Sequence, residues 1–149
     1  MVAITVVLAA VLYVMVLGFG GTSQQTPTTQ LTKGTITNGV KLTLAAVSIE
    51  TLWTDVDVLI SDGTNDEGWT NLTQGDLDDG AGDRNYFGTV TLGTLVVSLS
   101  VTDLSGNGYA NQGDYFSVTA VSFLSTSTYT ITLIYGPTAS SMTSINFNG

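Results

Sequence analysis

Residues 1–21, MVAITVVLAAVLYVMVLGFGG, are apolar throughout and carry no charged side chain. Most of them are large, among them Val6, Val7, Leu8, Val11, Leu12, Val14, Leu17 and Phe19. Each such side chain gains roughly 1.5–3 kcal/mol when hidden from water, so leaving the run exposed would cost on the order of 20–40 kcal/mol. That exceeds the ~5–15 kcal/mol that holds a whole domain together. The run has no proline, and its only glycines, Gly18, Gly20 and Gly21, fall where a helix would stop. A helix of about 20 residues is ~30 Å long, the depth of a bilayer core. The expectation is a long N-terminal hydrophobic helix that lies in a membrane or against many similar helices. Ala3, Thr5, Ala9 and Ala10 are small enough to let a neighbouring helix approach closely, and with Tyr13 they make up the candidate assembly face.

Outward from this run, Thr22–Gln30 reads TSQQTPTTQ: polar, uncharged, broken by Pro27 and without a period that would bury a face. It is expected to be a polar linker over residues 22–30. From Leu31 the pattern changes to short runs of β-branched and aromatic residues separated by turn residues. Asn38-Gly39 marks a hairpin between two Thr-rich runs. Further strand-like runs are Lys41–Ile49, Thr54–Ile60, Tyr86–Val101, Tyr115–Leu124, Thr128–Tyr135 and Met142–Phe147, with Gly93 interrupting the longest and Gly136-Pro137 marking the last turn. Seven or eight such strands with little helical periodicity between them favour an antiparallel sandwich. The expected class is α+β: the N-terminal helix, then an immunoglobulin-like β-sandwich head domain over residues 31–149.

Composition narrows function. The chain has no cysteine and no histidine, which removes disulfides, thiolate sites and the usual zinc, copper and imidazole acid/base chemistry. Three basic residues, Lys33, Lys41 and Arg84, stand against twelve acidic ones, giving a net charge of −9 that repels phosphate backbones and anionic lipid. Neither nucleic-acid binding nor catalysis is expected. Thr and Ser are abundant, which suits β-strands and an exported, neutral surface.

The order VAITVVLAAVLYVMVLGFG, Val2–Gly20, resembles the N-terminal segment of archaeal type IV pilins. The likeness covers about an eighth of the chain and is only architectural beyond it. Members of that family usually carry a Ser-Pro-Val-Ile-type stretch before this point; either these residues begin inside the family pattern or this chain departs from it. What the resemblance implies is a structural subunit whose N-terminal helices bundle into the core of an extracellular filament while the β-domains form its surface, with adhesion as a role. The implied partners are many copies of the same chain, and the membrane before assembly. Two other uses fit a run of this length. A secretory signal peptide would need a basic start, and a single-pass anchor for a surface binding domain would be expected to carry Lys or Arg at its cytoplasmic flank.

The sharpest local motif is Asp103-Leu-Ser105-Gly-Asn107-Gly108-Tyr109-Ala-Asn111-Gln-Gly-Asp114. Oxygen side chains stand at positions 1, 3, 5, 9 and 12 with glycine at 6 and the Tyr109 carbonyl at 7, the spacing of a twelve-residue Ca2+ loop. Ser at 3 and Asp at 12 leave only two formal charges, so affinity would lie in the roughly 10⁻⁴–10⁻³ M range of extracellular modules. No helical pattern flanks the loop, and a polar turn around Asn107-Gly108 is the competing reading. The other ten acids lie between Glu50 and Asp83, many beside glycines, and read as solvated loops. Asn71-Leu72-Thr73 is the one N-glycosylation sequon. Trp53, Trp69, Tyr86, Phe87, Tyr115 and Phe116 are expected in the core or at subunit contacts.

Overall fold

The computed structural model describes residues 24–73, 84–124 and 126–149. Among the described residues the chain forms nine strands from Thr29 on, most of them alternating inward apolar and outward polar side chains. They are β1 (Thr29–Ile36), β2 (Gly39–Val47), β3 (Val56–Ser61), β4 (Asp66–Trp69), β5 (Arg84–Leu92), β6 (Leu95–Asp103), β7 (Tyr115–Ala120), β8 (Thr128–Tyr135) and β9 (Ser140–Asn148). Among the described residues the only helical pieces are the three-residue 3-10 turns Trp53–Asp55 and Gly136–Thr138. The α+β class is therefore corrected: the described chain is all-β, in two antiparallel sheets, because the two-residue period never gives way to a 3.6-residue one. The long helix expected over residues 1–21, with Ala3, Thr5, Ala9, Ala10 and Tyr13, falls outside the described residues. No described helix is long and apolar enough to cross a membrane.

One sheet has the order β1-β2-β7-β6-β5 and the other β4-β3-β8-β9. Every pairing is antiparallel. The runs β1-β2-β7-β6 and β3-β8-β9 follow the A-B-E-D and C-F-G orders of an immunoglobulin-type sandwich, with β5 and β4 added at the edges. Both inner faces contribute to one core: Leu42 and Leu44 of β2, Leu99 of β6 and Phe116 of β7 meet Val58 and Ile60 of β3 and Ile131 and Leu133 of β8. Trp69 closes one seam by lying against Gly88 of β5 at a place where a Cβ would collide with the indole. At the other seam the Lys33 ammonium on β1 donates to the Asn146 carbonyl on β9, 3.0 Å away.

Three particulars depart from the sequence pattern. The hairpin turn is Thr37-Asn38, not Asn38-Gly39: Ile36 pairs with Gly39, and Asn38 takes the left-handed φ of 57°. Gly39 is needed for a different reason, since the β7 backbone at Val118 passes where its Cβ would stand. The stretch expected as a linker is held: β1 already begins at Thr29, Pro27 is buried, the Gln24 amide donates to the Tyr135 hydroxyl at 2.8 Å, and Thr26 bonds Thr138 at 3.0 Å. The run Tyr115–Leu124 stops being strand at Ala120, leaving Val121 and Leu124 outside the sheet.

The strand directions define two ends. The base holds the lead-in Gln24–Thr28, the connection 48–55, the loop 104–114 and the turn 136–139. The tip holds the turns 37–38, 62–65 and 93–94 and the connection 121–127.

Candidate functional site

The loop between β6 and β7 forms at the base because its two carboxylates organise it. Asp103, the last residue of β6, is fully buried, and Asp114, one residue before β7, is 1% exposed. A buried carboxylate is stable only when donors surround it. Asp103 has them: its Oδ1 accepts from the Ser105 N–H (3.0 Å), the Ser105 hydroxyl (2.9 Å) and the Gly106 N–H (3.0 Å), and its Oδ2 accepts from the Gly108 N–H (2.8 Å). Gly106 and Gly108 adopt φ of 62° and 80°, the left-handed geometry that turns these amides inward. Asp114 accepts from the Leu104 N–H at 3.0 Å and the Asn111 N–H at 2.8 Å.

Burial pushes the Asp114 carboxyl above the ordinary carboxylate range, and the nearby charge of Asp103 adds to the rise. The Asn111 and Leu104 amides act in the opposite direction. The Trp53 indole N–H pulls the same way as those amides but lies short of a hydrogen bond, so it acts as a favourable dipole and not as a partner.

The centre of the loop is taken by the Asn111 side-chain amide. Its Nδ2 donates to the Ser105 hydroxyl (3.2 Å), the Asn107 Oδ1 (3.0 Å) and the Tyr109 carbonyl (3.0 Å). These are the oxygens at loop positions 3, 5 and 7, the ones a calcium ion would need. The six residues Asp103, Ser105, Asn107, Tyr109, Asn111 and Asp114 are thus brought together, as their spacing suggested. In this arrangement their oxygens answer N–H and O–H groups, whereas Ca2+ takes six to eight oxygens at 2.3–2.6 Å. Among the described residues no three Asp or Glu side chains gather around a common point.

Backbone bonds tie the loop to the rest of the base. The Trp53 N–H donates to the Gly108 carbonyl (2.9 Å), the Ala110 N–H to the Thr51 carbonyl (2.8 Å), and the Leu44 N–H to the Asp114 carbonyl (2.8 Å). A bridge between Leu52 and Tyr109 extends the pairing.

Asn71 is exposed beside buried Trp69 and Leu72, with a left-handed φ of 57°, so its side chain is accessible. Trp53, Trp69 and Phe116 are core residues and Tyr86 packs against the core. Phe87 instead points out from the five-stranded sheet, and Tyr115 is half-buried under the Lys41 ammonium, 3.5 Å from its ring centre. Asp62 caps the β3–β4 turn, accepting from the Asn65 backbone amide at 2.7 Å, the Asn65 side-chain amide at 3.0 Å and the Thr64 amide at 2.8 Å, which holds its carboxyl below the ordinary range. Asp76, Asp78, Asp79 and Asp83 lie outside the described residues. Neither a protein-family model nor a curated protein matches the chain.

Sequence reading missed the tip. Val121 is 88% exposed and Leu124 63%, although both sit in an apolar run that reads as strand. The available signal was Ser122, which places a polar residue beside two apolar ones in a stretch too short to bury both faces.

Proposed function

We propose that this chain is the structural subunit of an extracellular, type IV pilus-like filament. The apolar residues 1–21 carry assembly, and the two-sheet sandwich forms the outer surface, exposed to neighbouring cells and surfaces and serving adhesion. The observation that carries this reading is the pairing of an uncharged, wholly apolar run at one terminus with a sandwich that has its own closed core. The run's resemblance to archaeal type IV pilins points the same way.

The anchored lead-in adds support. Gln24 and Thr26 are bonded to Tyr135 and Thr138, so the start of the described chain is held at the base. A fixed departure point lets identical subunits repeat one geometry, and identical heterologous contacts that do not close generate a helix of subunits. The run is housed in the membrane before assembly and among other copies afterwards, so assembly depends on close packing at Ala3, Thr5, Ala9 and Ala10 and not on transfer from water. The loop 103–114 serves as a clasp that stiffens the base. The function is non-enzymatic, in keeping with a chain that lacks histidine and cysteine and gathers its buried carboxylates around backbone amides.

The test compares the full chain with one lacking residues 1–21, by sedimentation and electron microscopy. The full chain is expected to form pelletable filaments and the shortened chain to be a soluble monomer. Filaments from the shortened chain would remove residues 1–21 as the assembly element.

A further inference from the structure

Three separate segments meet at the tip around a cavity of about 490 Å³: the turn 62–65 between β3 and β4, the turn 93–94 between β5 and β6, and the connection after β7. That volume falls in the ~300–1,000 Å³ range of small-molecule sites. Its sides differ in character. Leu95 and Leu124 form apolar walls, while Asp62, Asn65 and Thr94 form a polar edge and Tyr129 lies at the floor.

The polar edge is held in place by the fold. Asp62 Oδ1 accepts from the backbone amides of Thr64 and Asn65, whereas Oδ2 accepts from the Asn65 side-chain amide at 3.0 Å. With its Nδ2 on Asp62, Asn65 offers its carbonyl oxygen as an acceptor. The neighbouring turn confines this pair, since a Cβ on Gly93 would stand 3.1 Å from the Asn65 Nδ2. At the floor, Phe123 packs edge-on against Tyr129 with 4.8 Å between ring centres. The Tyr129 hydroxyl accepts the Leu124 N–H at 3.1 Å and still has its own O–H to donate.

These groups select a class of ligand. An anion would meet the ionised Asp62 carboxylate in a chain of net charge −9. A wholly apolar molecule would strip water from that carboxylate and return no donor. An organic cation would suit Asp62 but offer no acceptor to the Tyr129 and Thr94 hydroxyls. A ring whose hydroxyls both donate and accept, and whose face is C–H, matches the edge and the walls together.

We propose that this cavity binds a neutral pyranose sugar, its hydroxyls on Asp62, Asn65, Thr94 and Tyr129 and its C–H face against Leu95 and Leu124. The site lies at the end of the sandwich opposite the lead-in Gln24–Thr28. It rests on the adhesive part of the filament reading and names what is gripped: neutral glycan on a neighbouring surface.

The full chain is probed by saturation-transfer difference NMR, which observes the small molecule and so works with assemblies of any size. The probes are glucose, mannose, galactose and N-acetylglucosamine at millimolar concentration, beside N-acetylneuraminic acid and putrescine, and the same samples are imaged by electron microscopy. The expected result is transfer to the ring protons of at least one neutral sugar and none to the acid or the diamine. Affinity is expected to fall about tenfold in Thr94→Trp, which fills the cavity from an exposed turn, and in Asp62→Asn, which keeps an oxygen for the turn but removes the charge. No transfer to any of the four sugars, or equal affinity in the parent and Asp62→Asn, overturns the site; Asp62→Asn decides alone if Thr94→Trp does not fold. Putrescine binding that Asp62→Asn abolishes replaces the sugar with a cation and also overturns it. Filaments without sugar binding remove the ligand and leave the filament reading standing, whereas sugar binding by a chain that forms no filaments keeps the site and removes the filament.

Discussion

Asp103 shows how much one side chain organises. Four donors converge on its carboxylate: the Ser105 amide and hydroxyl and the Gly106 and Gly108 amides. Asp103→Ala would bury those donors unpaired and is expected to lower stability by about 3 kcal/mol in urea unfolding, with Asp103→Asn losing less because one oxygen remains. Asp114 has the opposite character, since burial makes its ionised form unfavourable. Its pKa is raised in the folded chain above the 3.8 of an ordinary Asp, so the folded state binds more protons than the unfolded state over the window just above 3.8. Its contribution to stability therefore falls as pH rises from 3.8 through the raised value and is level above it. Urea midpoints measured across this window should decline less in Asp114→Asn than in the parent chain; an unchanged slope would show that burial of this carboxyl does not govern it. Calcium gives a further check at the same residues. With Asn111 occupying the loop centre, millimolar Ca2+ is expected to leave the melting temperature where it is, and a clear rise would mean the loop opens to coordinate the ion.

At the scale of elements, the β1–β2 hairpin and β7 depend on a close approach at Gly39. Gly39→Ala would drive a Cβ into the Val118 carbonyl, and a loss of about 2 kcal/mol is expected, with the β2–β7 pairing the first to exchange amide hydrogens. A substitution that leaves protection of Val118 and Thr119 unchanged would contradict that packing. This residue also shows where the sequence could be read and where it could not. Asn-Gly signalled a hairpin correctly as a kind of turn, yet the glycine serves a neighbouring strand that is 79 positions away in the chain at Val118, information that no local pattern holds. Alternation made most strands legible, because Val40, Leu42 and Leu44 or Ile131 and Leu133 can face only one way once a core exists. The short β4 was not legible: Asp66-Glu67-Gly68-Trp69 has no alternating apolar set, and only Trp69 packs inward while β3 supplies the pairing. Spacing brought the six loop residues together on paper as in the fold, but spacing cannot tell a cation from the Asn111 amide at the centre, since both seek the same oxygens.

At the scale of the whole molecule, two kinds of surface sit on one axis. The base holds the lead-in Gln24–Thr28 and the 103–114 loop; the tip presents apolar side chains and the hairpin turns. In the proposed filament, a lead-in held at the base would pass the packing geometry of residues 1–21 to the outer surface. Weakening the anchor should loosen that coupling: Tyr135→Phe removes the acceptor for Gln24 and Thr138→Val the partner of Thr26. The double variant is expected to keep the fold within about 1–2 kcal/mol while giving filaments of less regular helical order, measured as a loss of layer-line intensity in electron micrographs. Unchanged order would show that the lead-in does not transmit geometry. The central claim, that this chain is a filament subunit, is tested most directly by electron microscopy of the full-length protein released from cells that express it. The account predicts helical filaments with the apolar residues 1–21 gathered along the axis and the sandwich outside; single copies held in membrane fragments, with no filament under any assembly condition, would contradict it.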